Sequence, residues 1–136
     1  MNLKVITPKK LALELEVESI TVPTVAGELT ILPKHADLLS LLKEGVITIR
    51  TANEEQYLSI GGGYMETDGK KTIILVSRAY GQDEINEDMT QKAIENAEKI
   101  LSQATDKAER DEAMGLLRRS IVDLKLLSKI GKKKVS

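Results

Sequence analysis

Leu11-Ala12-Leu13-Glu14-Leu15-Glu16-Val17 places Leu11, Leu13, Leu15 and Val17 at every second position, with Glu14 and Glu16 between them. Side chains alternate across a strand, so a period of two sends the apolar set to a core and the carboxylates to water. Short runs of the same kind recur at Ile20 to Val22, Leu29 to Leu32, Val46 to Arg50, Gln56 to Ile60, Gly63 to Thr67 and Thr72 to Ser77. Turn-forming residues separate them: Pro23 to Gly27, Pro33 to His35, Glu44-Gly45, Ala52 to Glu55 and Asp68-Gly69. Strands this close, with no helical pattern between them, predict an antiparallel sandwich or barrel rather than a parallel sheet, with a Val, Ile and Leu core.

The period changes near residue 85. Met89, Ala93, Ala97, Ile100/Leu101 and Ala104 recur at spacings of three and four, which predicts a helix with a narrow, small-residue apolar face. A loop is expected around Thr105 to Lys107. There Asp106 can accept from free backbone amides and open a second helix. Met114, Leu117, Ile121, Leu124 and Leu127 continue that pattern to Ile130, and Gly131 is expected to close the helix, with Lys129 and Lys132 to Lys134 favoured at its negative end. A short connection predicts an antiparallel hairpin of two helices, each of about twenty residues or about 30 Å. The reading is an α+β chain, with a sandwich over 1–84 and a helical hairpin over 85–136.

Composition limits the chemistry. The 136 residues include no Cys, no Trp, no Phe and one His, with 2% aromatic residues. A thiol nucleophile has no material, and neither does a Cys/His zinc site. Nucleic-acid binding by base stacking has only Tyr57, Tyr64 and Tyr80 to work with, so no nucleic-acid partner is expected. The N-terminal residues lack a basic start followed by an apolar run, and no apolar stretch approaches the roughly 20 residues needed to cross a bilayer. A soluble protein made in the cytoplasm is expected, free to dock on a membrane complex.

The formal net charge of −1 is an average. Residues 1–84 carry nine Lys and Arg against twelve Asp and Glu, and residues 85–136 carry eleven against nine. From Leu117 onward, seven cations (Arg118, Arg119, Lys125, Lys129, Lys132, Lys133 and Lys134) face only Asp123. Such a run reads either as a solvated helix end or as a surface for an acidic partner, and the acidic first domain with so few aromatics favours a protein partner.

Catalytic readings are weak. Gly61-Gly62-Gly63 is followed by a strand pattern, whereas a phosphate loop must open a helix whose amides converge on the anion, so close packing or a bulge explains it. His35 follows Pro33-Lys34 in a loop with no serine in a nucleophile-elbow setting. Glu14, Glu16 and Glu18 share a strand face and show no separated environments of the kind that assign acid and base roles. Nothing here makes an enzyme.

Three stretches carry a resemblance. Val22-Pro23-Thr24-Val25-Ala26-Gly27-Glu28-Leu29-Thr30-Ile31-Leu32-Pro33-Lys34-His35-Ala36-Asp37-Leu38-Leu39, Leu42-Lys43-Glu44-Gly45-Val46-Ile47-Thr48-Ile49 and Tyr57-Leu58-Ser59-Ile60-Gly61-Gly62-Gly63 closely resemble the epsilon subunit of bacterial F-type ATP synthases. The match spans essentially the whole chain, in the order sandwich then Ala-rich hairpin. It implies a non-catalytic rotor part of the central stalk, peripheral to the cytoplasmic face of the bacterial membrane through its complex. The sandwich is implied to dock on the gamma subunit and to sit on the ring of c subunits, with Glu28 and His35 facing that ring. The hairpin is implied to be regulatory. Extended into the catalytic head it blocks hydrolysis, with Arg118, Arg119, Lys125 and Lys129 meeting an acidic segment of the catalytic beta subunit.

Two departures matter. Lys34 stands where the family usually has Gly, and Thr30 replaces another, which predicts a different turn before His35. The I/L-D-x-x-R-A string through which several members bind ATP reads Ile85-Asn86-Glu87-Asp88-Met89-Thr90 here, without its Asp, Arg or Ala. Losing the arginine removes the group best suited to pair with phosphate, so no cofactor is expected and ATP binding should be weak or absent. Two other classes stay open on the residues alone: a free-standing module for an acidic protein, and a small hydrolase using His35.

Overall fold

The computed structural model describes the backbone of residues 1–135 and their side chains except those of Gln82 and residues 130–135. It divides into two compact units, Met1–Gly81 and the chain from Gln82 onward. The boundary lies at the last residues of the strand-rich half, three residues before the one expected.

The first unit contains ten strands: β1 (Asn2–Ile6), β2 (Leu11–Glu16), β3 (Ser19–Thr24), β4 (Gly27–Ile31), β5 (Leu38–Leu42), β6 (Gly45–Arg50), β7 (Glu55–Ile60), β8 (Gly63–Thr67), β9 (Lys71–Val76) and β10 (Ala79–Tyr80). Their order is β10-β7-β6-β3-β5-β8-β9-β1-β2, with β4 paired to β3. A single pair, Thr24 with Leu42, joins β3 to β5. That narrow join lets the sheet fold into two leaves over one core. Ile20, Val22, Ile31, Ile47, Ile49 and Ile60 point inward from one leaf, and Leu3, Val5, Met65, Ile74 and Val76 from the other, all with 4% exposure or less. The buried hydroxyls of Thr67 and Thr72 lie 2.8 Å apart and satisfy each other.

Two features depart from the alternating antiparallel pattern. β1, whose Leu3 and Val5 alternate with Asn2 and Lys4, runs parallel to β9. The register between β1 and β2 shifts at Val5/Ile6, with Ala12 as the extra residue, so Leu11 is 50% exposed while Val17 is buried. A bulge of this kind reverses the facing of every residue beyond it, which is why the alternation at residues 11–17 does not carry through to Leu11.

The glycine run is a close approach of strands. A Cβ on Gly63 would fall 1.9 Å from the Leu75 carbonyl oxygen, and one on Gly61 would fall 2.1 Å from Ser77 Oγ. Main-chain bonds from Gly61 N–H to Arg78 O (3.0 Å) and from Ser77 N–H to Gly62 O (3.1 Å) hold the segments together.

The second unit begins with a 3-10 turn (Gln82–Glu84), followed by α1 (Glu87–Gln103) and α2 (Lys107–Val135). Asn86 caps α1 by accepting from the Met89 N–H at 3.0 Å, and Asp106 caps α2 by accepting from the Ala108 N–H at 3.0 Å. Seventeen and twenty-nine residues give helices of about 26 and 44 Å. The second does not stop at Gly131. A glycine inside a helix costs only about 1 kcal/mol against alanine, and Lys132 to Lys134 are good helix formers, so nothing there forces an end. The expected favourable placement of those three side chains lies outside the described residues.

The apolar phase of the helices also shifts. Ala97 of α1 is buried, but Met89, expected on the same face, is 68% exposed. Among the described residues of α2 those buried are Ala113, Ser120 and Leu126, whereas Met114 is 40% and Ile121 51% exposed. Ala113 and Ser120 are seven residues apart and share a face, while Leu126 lies about 120–140° around the helix from them. Burial on α2 is therefore not the single leucine stripe that the spacing suggests.

Candidate functional site

β4 pairs only with β3, so its other side is a sheet edge. Its approach is a tight hairpin: Thr24 Oγ1 accepts from the Ala26 N–H at 3.2 Å and donates to Gly27 O at 2.5 Å. Gly27 has φ 122°, a conformation that favours glycine. Glu28 follows, exposed and in register with Pro23.

Beyond the far end of β4, the chain turns through Pro33 and Lys34 to His35. Lys34 has φ 70°, the left-handed region, and its N–H donates to Gly69 O at 3.0 Å; the His35 N–H donates to Leu32 O at 3.1 Å. The substitution of Lys for the usual Gly therefore does not abolish a glycine-type turn. Lys34 adopts that conformation itself, at a cost of about 1 kcal/mol. Gly69, with φ 83°, packs so closely beneath the loop that a Cβ would sit 2.5 Å from His35 O. Its own turn is held by Asp68, whose Oδ1 accepts from the Lys70 and Lys71 N–H groups at 2.8 Å each. Those bonds, that from Lys71 foremost, hold the carboxyl below its ordinary pKa. The turn's contribution to stability is thus present above the usual carboxylate range and is lost as pH falls below that range through the lowered pKa.

His35 is half-buried, with Nδ1 2.7 Å from Ala36 O. A carbonyl oxygen can only accept, so Nδ1 carries the proton, and the ring is tied to the main chain of its own loop. Glu28 and His35 stand at opposite ends of β4. Glu28 is exposed and His35 is half-buried in the loop beyond the strand, and the structure does not bring them together as a catalytic pair.

A second surface has no counterpart in the alternation of the sequence. Leu39 (68% exposed), Leu41 (64%) and Tyr64 (45%) project from the outer face of the leaf containing β5, β8 and β9. Registers of Leu39 with Glu66 and Ile73, and of Leu41 with Tyr64 and Leu75, place them on one side. A depression of about 390 Å³ opens at its margin, lined by Asp37, Leu39, Glu66, Asp68 and Lys71 among others. The signal in the sequence was Leu38-Leu39-Ser40-Leu41-Leu42, too uniformly apolar for period alone to assign a face.

The third surface is basic. On α2, Arg118, Lys125 and Lys129 are separated by seven and four residues, which sets them within about 40° of one another around the axis. Arg118 and Lys125 are exposed and Lys129 is half-buried. Arg119 is about 100° away from Arg118, and its Nη1 lies over Gly115, 3.5 Å from where a Cβ would stand. Asp123 is about 140° from Arg118. Three of the four expected cations thus form one stripe, about 16 Å long, from which the acid is turned away.

The start of α1 is already occupied. Asn86 satisfies an amide, and Glu87 and Asp88 place negative charge in the first turn. In this first turn a phosphate would meet the two carboxylates of Glu87 and Asp88, and no arginine of the family string stands beside them. Among the described residues no group of acids and histidine is placed to hold a metal ion, and no helix is long and apolar enough to cross a membrane.

Comparison with known proteins decides the family. The model of the ATP synthase Delta/Epsilon chain β-sandwich domain matches residues 1–82. Over 126 residues the chain is 33% identical to the ATP synthase epsilon chain of Moorella thermoacetica, covering 92% of this chain and 94% of that one. The chain belongs to the ATP synthase epsilon-chain family. The epsilon chain of Sulfurovum sp. is 36% identical over 105 residues, covering 76% of this chain and 81% of that one, and the chloroplastic epsilon chain of Pelargonium hortorum is 30% identical over 131, covering 96% and 98%. The epsilon-chain fold is also found in a chain of the Euglena gracilis mitochondrial ATP synthase OSCP/F1/c-ring structure, with a TM-score of 0.79 at 24% identity over 94% of this chain and 79% of that one. A chain of the Tetrahymena thermophila mitochondrial ATP synthase central stalk and c-ring has a TM-score of 0.62 at 23% identity, covering 96% and 95%.

Proposed function

We propose that this chain is the central-stalk rotor subunit of an F-type ATP synthase, that it couples proton translocation to ATP synthesis, and that its hairpin restrains ATP hydrolysis. It is a non-catalytic subunit. The observation that carries the reading is the extent of the likeness: an epsilon chain is matched over 92% of this chain and 94% of its own length, through both the sandwich and the hairpin.

The surfaces fit the partners that the role requires. The apolar face of Leu39, Leu41 and Tyr64 is the docking face for gamma, because a solvent-exposed cluster of large apolar side chains marks an interaction site. The β4 edge, with Glu28 and His35, faces the polar loops of the c ring. The stripe of Arg118, Lys125 and Lys129 meets an acidic segment of the catalytic beta subunit when the hairpin extends, and Arg119 contributes less. The subunit is then peripheral to the membrane through its complex, on the cytoplasmic face in a bacterium.

Capture by purified gamma tests the assignment of the first face. Leu41→Asp combined with Tyr64→Asp should weaken capture by about thirtyfold or more, as loss of a buried interface anchor does. Leu11→Asp, at an apolar site of similar exposure on β2, should leave it unchanged; equal loss from both variants would overturn the assignment. Calorimetric titration of the isolated chain with ATP should show no binding at micromolar concentrations, and a micromolar affinity would contradict the reading of the α1 start.

A further inference from the structure

We infer that Asp68-Gly69 is a latent site of spontaneous isoaspartate formation that the folded chain holds closed, with Thr67 as the residue that keeps it closed.

The pair is the single Asp-Gly or Asn-Gly sequence in the chain. β8 ends at Thr67 and β9 begins at Lys71, so Asp68, Gly69 and Lys70 make the connection, and Asp68 is exposed to water. In a loose segment such a pair rearranges by itself, because glycine has no side chain to hinder its own amide nitrogen. The Gly69 nitrogen attacks Cγ of the protonated Asp68 carboxyl. The C–N bond that forms expels one carboxyl oxygen as water, which carries away the amide hydrogen and the acid proton, and a five-membered succinimide results. Water then adds at the Asp68 main-chain carbonyl carbon and breaks its bond to that nitrogen, leaving a free α-carboxylate and a peptide linkage through Cγ. Mass is unchanged overall, no oxidant or cofactor takes part, and the main chain is one carbon longer.

The groups that must move are held. The Gly69 N–H donates to Thr67 Oγ1 at 3.2 Å. The Thr67 hydroxyl is itself fixed: the residue is 2% exposed, and Oγ1 lies 2.8 Å from Thr72 Oγ1 and 3.3 Å from Lys71 O. Asp68 Oδ1 accepts from the Lys70 and Lys71 N–H groups at 2.8 Å each, which ties the carboxyl to amides further along the turn. Those bonds also favour the carboxylate, whereas the neutral acid is the form that reacts. Rotation of Gly69 toward Cγ is blocked from the adjoining loop as well. Its carbonyl accepts from the Lys34 N–H at 3.0 Å, and a Cβ on it would sit 2.5 Å from His35 O and 2.9 Å from His35 N. The reaction therefore waits for the β8–β9 turn to open. The lengthened linkage then cannot keep Gly69 O on the Lys34 N–H, so damage in one turn loosens the next.

The full isolated chain, kept for weeks in mildly acidic buffer, is compared with the same chain in guanidinium chloride, and isoaspartate at position 68 is located by peptide separation and electron-transfer fragmentation. The folded chain should form it at least about tenfold more slowly, as a reaction gated by local opening does; equal rates would overturn the inference. Thr67→Val removes the acceptor of the Gly69 N–H and should speed the reaction in the folded chain about fivefold, the worth of one ordinary hydrogen bond. Thr67→Ser, which keeps the hydroxyl, should restore the slow rate. Thr72→Val breaks the same threonine pair but leaves that acceptor in place, and so reads general loosening of the hairpin. Equal acceleration in Thr72→Val and Thr67→Val would overturn the role given to Thr67. Hydrogen exchange on the unsubstituted chain decides the matter even if Thr67→Val fails to fold. The Gly69 amide should exchange at least about tenfold more slowly than in the unfolded chain, and an unprotected Gly69 amide would contradict the closed turn.

Discussion

Ending the chain after Glu84 should raise ATP hydrolysis by the assembled complex at least about fivefold, the lower end of ordinary coupling energies between sites. The cut falls after the first unit and the short 3-10 turn that begins the second, and none of the first unit's strands is touched. What is lost is α1, α2 and the basic stripe. If the stripe carries the inhibition, replacing Arg118, Lys125 and Lys129 together by alanine should reproduce most of the rise, because the three lie along one line on α2 and face a partner as a unit. Arg119→Ala should have a smaller effect, since its guanidinium is turned over Gly115 on another face. High salt should narrow the difference between the intact and triple-variant complexes, as screening weakens exposed charge pairs. Unchanged hydrolysis in both the truncated and the triple variants would remove the inhibitory role and leave only coupling.

Gly63→Ala should severely destabilise the sandwich. A Cβ there would stand 1.9 Å from Leu75 O, 2.8 Å from Val76 Cα and 2.9 Å from the Leu75 carbonyl carbon, all backbone atoms of the neighbouring β9. No side chain can swing away to make room, so β8 must separate from β9. Five inward residues lie on those two strands: Met65, Thr67, Thr72, Ile74 and Val76. The cost should exceed about 4 kcal/mol, against a total stability of about 5–10 kcal/mol for a chain of this size. Gly81→Ala is the control. Nothing lies within 4 Å of a Cβ at Gly81, so it should change stability by less than about 0.5 kcal/mol. Urea unfolding monitored by circular dichroism separates the two, and a cooperative transition of ordinary midpoint for Gly63→Ala would contradict the packing described for the glycine run.

The contrast between legible and hidden features has physical causes. Seven of the strands were visible because their apolar residues alternate or cluster between turn residues. β1 was not recognised, since its five residues abut Pro8, Lys9 and Lys10 and its pairing to β9 is long-range and parallel. β5 was obscured by four leucines in five positions, which give no period. The caps at Asn86 and Asp106 act within three residues; Asp106 is legible because it follows a break in the helical pattern, whereas Asn86 stands inside a string whose departure from the family's draws attention to phosphate. The seam on α2 is not a plain leucine stripe: leucine and methionine outweigh alanine in any hydrophobic reading, yet Ala113 and Ser120 are buried where Met114 and Ile121 are exposed. Of the surfaces, the basic run was plain in the sequence, but its division into a stripe and an outlying Arg119 needs the helix to continue unbroken. The Leu39, Leu41 and Tyr64 face needs the register of β5 with β8.

The central claim is that this chain is a rotor part held by gamma. Its most direct test is to add the purified full chain to a gamma-containing catalytic head stripped of its own epsilon subunit, and to measure the mass of what elutes. The expected product is a complex heavier by one 15.0 kDa chain per head, stable through gel filtration. Elution of the chain as a free monomer, with the head unchanged in mass, would contradict it.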